Sequence, residues 1–246
     1  MTVHHLPLLT TLLAAGLCVA LVRRCLARSG APHLLWWAIG MFTYGAGTAL
    51  ESAITLGGNS VVLTKAWYVA GALLGGYPLA QGTLYLLAGR RPARRLTLGT
   101  LPVIAALAGL VVLSPPELAA LEPGRPSGAV LGWSWIRALT PLINVYALVI
   151  LVGGAGLSAW RYGRRRGPGD GARSLGNAAI ALGGTLPALG GILAKTGRVE
   201  ALYVAELAGL ILIAAGFRLN VTARAHPSPV GTPAPTDGSD GSSRSR

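Results

Sequence analysis

The chain has little charge for its length, and this shortage excludes an ordinary soluble domain. Charged residues make up 12% of the 246 positions, whereas a soluble domain carries about a quarter. Hydrophobic residues make up 52%, the mean hydropathy is +0.56, and the apolar residues come in long blocks. These features predict a polytopic membrane protein whose first partner is the lipid bilayer.

Cysteine, histidine and catalytic motifs are scarce as well. Cys18 and Cys25 lie on one predicted helix in a spacing that cannot close a disulfide between them, and no third metal ligand is near them in sequence. The histidines do not occupy facing positions within the apolar blocks, which argues against haem ligation. The sequence also lacks a Walker loop, a G-x-S-x-G motif and an H-E-x-x-H motif. We therefore predict no catalytic residue, no metal and no cofactor, and nothing in the sequence favours an enzyme.

The apolar blocks lack the alternation of barrel strands, so helices are the structure predicted to cross the lipid. An all-α bundle of seven transmembrane helices accounts for them. The predicted spans are Leu6–Val22, Leu34–Ile54, Val62–Ala88, Leu96–Leu113, Trp133–Trp160, Leu175–Ala194 and Ala201–Phe217. In the third span, Pro78 is expected to kink the helix, and Gly71, Gly75 and Gly76 are expected to allow close helix approach.

The charges fall on the two sides of this arrangement very unevenly. Sixteen arginines and three aspartates lie in the first, third and fifth connections and the C-terminal segment, and they account for the whole net charge of +13. Five basic and five acidic residues on the other side cancel. The positive-inside rule then predicts a multi-pass protein of the plasma (cell inner) membrane, with its N-terminus outside and its C-terminus inside. Because topology explains the arginines, no nucleic-acid partner is predicted.

The sequence predicts one folded domain and a tail. Residues 1–221 form the seven-helix transmembrane domain, and residues 222–246, rich in Pro, Ser and Gly, form a disordered cytoplasmic tail. Weak internal similarity links the stretch Lys65–Ala70, KAWYVA, to Glu200–Ala205, EALYVA. This similarity suggests that helices 1–3 and 5–7 are parallel repeats joined by helix 4.

Ionisable and polar residues within the spans carry the functional prediction. Glu206 lies in the outer part of the last span, at a depth where an ionised carboxylate costs about 2–3 kcal/mol. It belongs either to a ligand, ion or proton site or to a structural pair with Arg137 or Lys65. Glu51 either pairs with Lys65 or joins the same site, and Asn144 either bonds a neighbouring helix or contacts a ligand. The candidate ligand-binding residues are Glu51, Lys65, Arg137, Asn144, Tyr203 and Glu206.

The second helix carries a polar stripe. Tyr44, Thr48, Glu51 and Thr55 follow one another at helical spacing, which places them on one face. A polar stripe on an otherwise apolar membrane helix is expected to face the interior of the bundle.

Two family resemblances bear on function. The stretch Ala49-Leu50-Glu51, a short turn, Ala66-Trp67-Tyr68 and Gly71 resembles the seven-helix membrane region at the N-terminus of some bacterial histidine kinases. That region is taken to be a sensor, so the resemblance implies a sensor. No kinase domain follows Arg218 in this sequence, and a signal would need a separate partner protein. The topology is also similar to that of microbial rhodopsins, but the predicted seventh span has no lysine to hold retinal.

Three functions remain open from the sequence. The first is a receptor-like protein that binds a small-molecule ligand in an outward-facing polar pocket. The second is a secondary transporter, coupled to protons through Glu206. The third is a structural subunit of a membrane complex, in which the polar groups only join helices and a membrane or cytoplasmic protein is the partner.

Overall fold

The computed structural model describes residues 5–196 and 198–225, and within them the protein is all-α. An isolated bridge between Pro116 and Leu131 is the one β-type pairing in this part of the chain. The helices are α1 (Leu6–Ala27), α2 (Pro32–Gly57), α3 (Val61–Trp67), α4 (Tyr77–Leu87), α5 (Arg90–Leu113), α6 (Ser134–Gly163), α7 (Asp170–Lys195) and α8 (Val199–Ala225). The predicted all-α class is confirmed.

Five of these helices are long and apolar enough to cross a membrane. They are α1, α5, α6, α7 and α8. Helix α2, although 26 residues long, is not among them, and neither is the divided third helix. The chain therefore has the composition of a multi-pass membrane protein.

The predicted continuous third helix, Val62–Ala88, is wrong. Helix α3 ends at Trp67 and passes into a π-helical segment, Tyr68–Leu73, after which α4 begins at Tyr77. Pro78 has no amide hydrogen to donate and stands in the first turn of α4, the position where a helix tolerates proline best. Proline and the neighbouring glycines therefore divide the helix rather than kink it.

The divided helix packs very closely on α2. A Cβ atom added to Gly47 would lie 2.7 Å from the Cα atom of Gly71 in the π-helical segment. The prediction that Gly71 allows close helix approach is confirmed, and the two backbones touch at this point.

Polar and glycine contacts join the other helices. Gln81 of α4 accepts a hydrogen bond from Thr97 of α5 at 2.9 Å and donates one to Tyr146 of α6 at 2.9 Å. Helices α7 and α8 meet at small residues, since a Cβ atom on Gly183 would lie 2.5 Å from the carbonyl oxygen of Gly209. Interfaces of this kind are typical of helices that pack within lipid.

The bundle has two chemically different ends. We call one the arginine end, where α1 meets α2, α4 meets α5, and α6 meets α7. We call the other the loop end, where the turn at residues 57–60 meets the long connection 114–133. At the loop end, Asn59 donates hydrogen bonds to the carbonyl oxygens of Glu122 at 2.8 Å and Arg125 at 3.1 Å. These two bonds hold the long connection against the turn.

The last helix runs further than predicted. Helix α8 continues to Ala225, so the predicted domain boundary at residue 221 falls inside a helix. The rest of the predicted tail, residues 226–246, lies outside the described residues.

Candidate acidic site at the loop end

The polar stripe of α2 faces inward, as predicted. Thr48 and Glu51 are only 3% and 4% exposed, and the hydroxyl oxygens of Thr48 and Thr11 of α1 are 2.8 Å apart. Tyr44 begins the stripe, and Thr55 ends it one turn after Glu51. Helix α2 thus presents a carboxyl group and several hydroxyl groups to its neighbours.

Helix α8 brings a second carboxyl group to this face. Tyr203 is buried, and its hydroxyl group lies beside the Glu51 carboxyl group and the Thr55 hydroxyl group. Glu206, almost one helical turn further along, is close enough to Glu51 for their charges to interact. We call Tyr44, Glu51, Tyr203 and Glu206 the acidic site.

Two oxygen atoms of the acidic site have no partner. The Tyr44 hydroxyl oxygen and the Glu206 Oε2 atom are both buried, and neither makes a hydrogen bond to any described group. The Tyr44 hydroxyl group also lies near both carboxyl groups. Buried polar groups without partners are rare in proteins and call for an explanation, such as a role in binding a ligand or an ion.

No cation neutralises the acidic site among the described side chains. The ion pairs within 4.0 Å in this part of the chain join Arg125 to Glu122 and Arg173 to Asp170. Lys65 does not pair with Glu51, because its Nζ atom donates to the carbonyl oxygens of Val112 at 2.8 Å and Ser114 at 2.6 Å. Lysine thereby satisfies carbonyl groups at the C-terminal end of α5.

The other two predicted residues also lie away from the acidic site. Arg137 is exposed on the first turns of α6, beside Tyr68 and Gly128. Asn144 is exposed in the middle of α6, and the two roles predicted for it, a bond to a neighbouring helix or a contact with a ligand, stay predictions. The structure therefore brings together Glu51, Tyr203 and Glu206 but not Lys65, Arg137 and Asn144.

The long connection lies over the acidic site. Arg125 is near enough to Tyr203 for its positive charge to act on the Tyr203 hydroxyl group. Its guanidinium group donates a hydrogen bond of 2.7 Å to Glu122, and this carboxylate raises the pKa of Arg125. Sequence reasoning missed Arg125 as a neighbour of the site, and the only available signal was the length of the connection.

Tyr44 was identified in the stripe but not among the candidate ligand residues. It stands two turns before Glu51 on the same face, and this spacing was a usable signal. Its importance comes from the burial of its hydroxyl group beside two carboxyl groups, which is visible only once Glu206 of α8 is placed near Glu51 of α2.

The chemistry available at the acidic site is that of oxygen groups. Two carboxyl groups and two phenol groups can share protons or bind a hard cation, which prefers oxygen ligands. Within the described residues, no group of three or more His, Cys, Asp or Glu side chains stands together in an arrangement that could hold a metal ion. The chemistry of these groups is therefore suited to a proton, or to a small cation held by only two carboxyl groups.

The bundle also contains a cavity at its opposite end. It has a volume of about 300 Å³ and lies at the arginine end, between α1, α2, α4, α6, α7 and α8. None of the six candidate ligand residues lines it.

In comparisons with protein-family models, curated proteins and solved structures, the chain matches none.

Proposed function

We propose that this is a receptor-like protein of the plasma membrane that responds to protons arriving from the outside at the acidic site. The observation that carries the proposal is the Glu51–Glu206 pair, in which the Glu51 side chain and the Glu206 Oε2 atom are buried and no described side chain serves as a cationic partner. Seven membrane passages, including α2 and the divided helix, complete the proposed architecture, and the outer side is the loop end.

The electrostatics of the pair support a proton as the ligand. Two ionised carboxylates side by side repel each other, and each loses hydration on burial without gaining an opposite charge. A proton shared between them removes one charge and supplies a hydrogen bond. The buried Oε2 atom of Glu206, which has no partner among the described groups, is the atom that such a proton would satisfy.

The surrounding structure supports a response to protonation. The Glu51 and Tyr203 side chains link α2 to α8, and the connection that carries Arg125 lies above them. Gain or loss of a proton would change the force between α2 and α8. Helix α2 also touches the divided helix at Gly47 and Gly71, so a movement of α2 is passed to the neighbouring segment.

The test is the pH dependence of stability in lipid nanodiscs. We expect the unfolding temperature of the native protein to fall as the pH rises from mildly acidic to mildly alkaline, because ionisation of the second carboxyl group adds repulsion. Glu206→Gln and Glu51→Gln remove one charge of the pair, so either variant should flatten this dependence. The matched control is Glu117→Gln, which changes an exposed loop carboxyl group. If both pair variants keep the native pH dependence, the proposal is wrong.

A secondary transporter coupled to protons is the second candidate. The divided third helix favours it, since discontinuous helices are common at the binding sites of transporters. The cavity at the opposite end from the acidic site also suits alternating access. Proteoliposomes with an imposed pH gradient separate the two functions: a solute flux that Glu206→Gln abolishes indicates a transporter, and a conformational response without flux indicates a receptor. If the protein shows neither a solute flux nor a conformational response but holds a stable stoichiometric partner, it is a structural subunit.

A further inference from the structure

The cavity at the arginine end has apolar walls over most of its depth. Leu21, Met41 and Leu79 are buried in its lining, at 5%, 3% and 7% exposure. Its volume of about 300 Å³ is at the lower end of the range of small-molecule pockets, about 300–1,000 Å³. The space fits one flexible hydrocarbon chain rather than two.

The mouth of the same cavity is basic. Arg24, Arg28 and Arg173 belong to its lining, together with the amide side chains of Asn177 and Asn220. The guanidinium group of Arg24 lies 5.5 Å from the centre of the Phe217 ring, so its charge stands directly over an apolar wall residue. Apolar walls below a basic rim match a molecule with an apolar chain and an anionic head.

Arg173 supplies the strongest evidence for an anion-binding site. Its guanidinium group lies 5.5 Å from the centre of the Tyr162 ring and 3.7 Å from the Asp170 carboxylate. Its Nε atom is nevertheless buried and has no hydrogen-bond acceptor among the described groups. Arginine has five N–H donors in a planar fork, and a carboxylate or phosphate oxygen at the mouth would supply the acceptor that Nε lacks.

We infer that this cavity binds a single-chain anionic amphiphile, with its hydrocarbon chain between the six helices and its carboxylate or phosphate head at Arg173 and Arg28. Asp170 offsets part of the charge of Arg173, so the second arginine is needed for a net attraction. The inference does not depend on the acidic site, because the two sites lie at opposite ends of the bundle and share no residue.

The experiment is a titration of the delipidated protein with oleate, followed by native mass spectrometry from a mild non-ionic detergent. Oleyl alcohol, which has the same chain and no charge, tests the head group. Phosphatidylglycerol, which has two chains, tests whether the cavity takes a single-chain amphiphile or a lipid of the bilayer. The expected result is retention of one oleate per protein, with much weaker retention of the alcohol and of phosphatidylglycerol.

Variants locate the binding. Arg173→Gln and Arg28→Gln should each weaken oleate retention about fivefold, the effect expected for one basic residue near an anionic head. Arg23→Gln is the matched control, since Arg23 is exposed on α1 outside the lining and its loss should change nothing. Ala155→Leu should abolish retention, because the larger side chain on the buried wall fills the cavity. Ser158→Leu, on the next turn of α6, serves the same purpose if Ala155→Leu does not fold.

Three results would overturn the inference. Equal retention of oleate and oleyl alcohol would show that the arginines do not recognise the head, and unchanged retention in both filling variants would place the amphiphile elsewhere. Preferential retention of phosphatidylglycerol would replace the single-chain ligand by a bilayer lipid.

Discussion

The Tyr44 hydroxyl oxygen and the Glu206 Oε2 atom are buried in the same site, and neither has a hydrogen-bond partner among the described groups. A buried hydroxyl group without a partner destabilises a fold by about 1–3 kcal/mol. The presence of these two groups beside Glu51 is therefore the feature that most needs a functional explanation.

The first prediction concerns Tyr44→Phe. We expect this change to raise the free energy of unfolding by about 1 kcal/mol, because it removes the hydroxyl group and keeps the ring. Tyr68→Phe is the comparison, since the Tyr68 hydroxyl oxygen lies 2.8 Å from that of Thr140. This second change should lower stability by about 0.6 kcal/mol, the average for hydrogen bonds between membrane helices. Thermal unfolding of both variants in the same detergent measures the two changes in stability. If Tyr44→Phe lowers stability as much as Tyr68→Phe does, the Tyr44 hydroxyl group has a hydrogen-bond partner.

The second prediction concerns the contact between α2 and the divided helix. Gly47→Ala places a Cβ atom 2.7 Å from the Gly71 Cα atom, so a backbone must move, and we expect a loss of about 1–3 kcal/mol. Gly99→Ala in α5 is the control, because its Cβ atom would have no neighbour within 4 Å. Alanine there should leave the unfolding temperature unchanged or raise it slightly. Equal changes in unfolding temperature for Gly47→Ala and Gly99→Ala would contradict the close contact between α2 and the divided helix.

Part of the acidic site was predictable from the sequence, because helical spacing alone places Tyr44, Glu51 and Thr55 on one face of α2. The depth of Glu206 in its helix likewise predicted a buried carboxyl group. The role of Lys65 was not predictable, since its bonds to carbonyl groups at the end of α5 depend on how α5 lies against α3. Asn144 is exposed on α6, and helical spacing alone does not show which face of that helix turns toward the bundle.

The fold shows the same division between local and tertiary information. Apolar block length and the absence of alternation were enough to predict an all-α membrane protein. The break in the third helix was not predicted, because a Gly-Gly-Tyr-Pro sequence is compatible with either a kinked or a divided helix. The proposed internal repeat stays a prediction.

The third prediction concerns Asn59→Ala. Asn59 donates to the carbonyl oxygens of Glu122 and Arg125 and accepts from the Thr64 hydroxyl group at 2.7 Å. Removing the amide group should detach the long connection, and we expect faster hydrogen exchange in residues 114–133 with little change in the helices. Asn144→Ala, an exposed amide on α6, is the control. Unchanged exchange in the connection would show that other contacts hold it.

The fourth prediction concerns Lys65→Gln. This lysine satisfies carbonyl groups of α5, so its loss should lower the free energy of unfolding by about 1.5–3 kcal/mol, the contribution of a charged hydrogen-bonding group. The pH dependence of stability should remain that of the native protein, because Lys65 stands outside the acidic site. Thermal unfolding across the pH range checks both statements, and a flattened pH dependence would place Lys65 in the site after all.

The most direct measurement for the central proposal is an infrared pH titration of the protein in lipid, which detects the carbonyl stretch of protonated carboxyl groups. The proposal predicts a band from a buried protonated carboxyl group that disappears as the pH rises, is missing in both Glu206→Gln and Glu51→Gln, and is retained in Glu117→Gln. A native protein without such a band, or a band that survives in both pair variants, would contradict a shared proton at the acidic site.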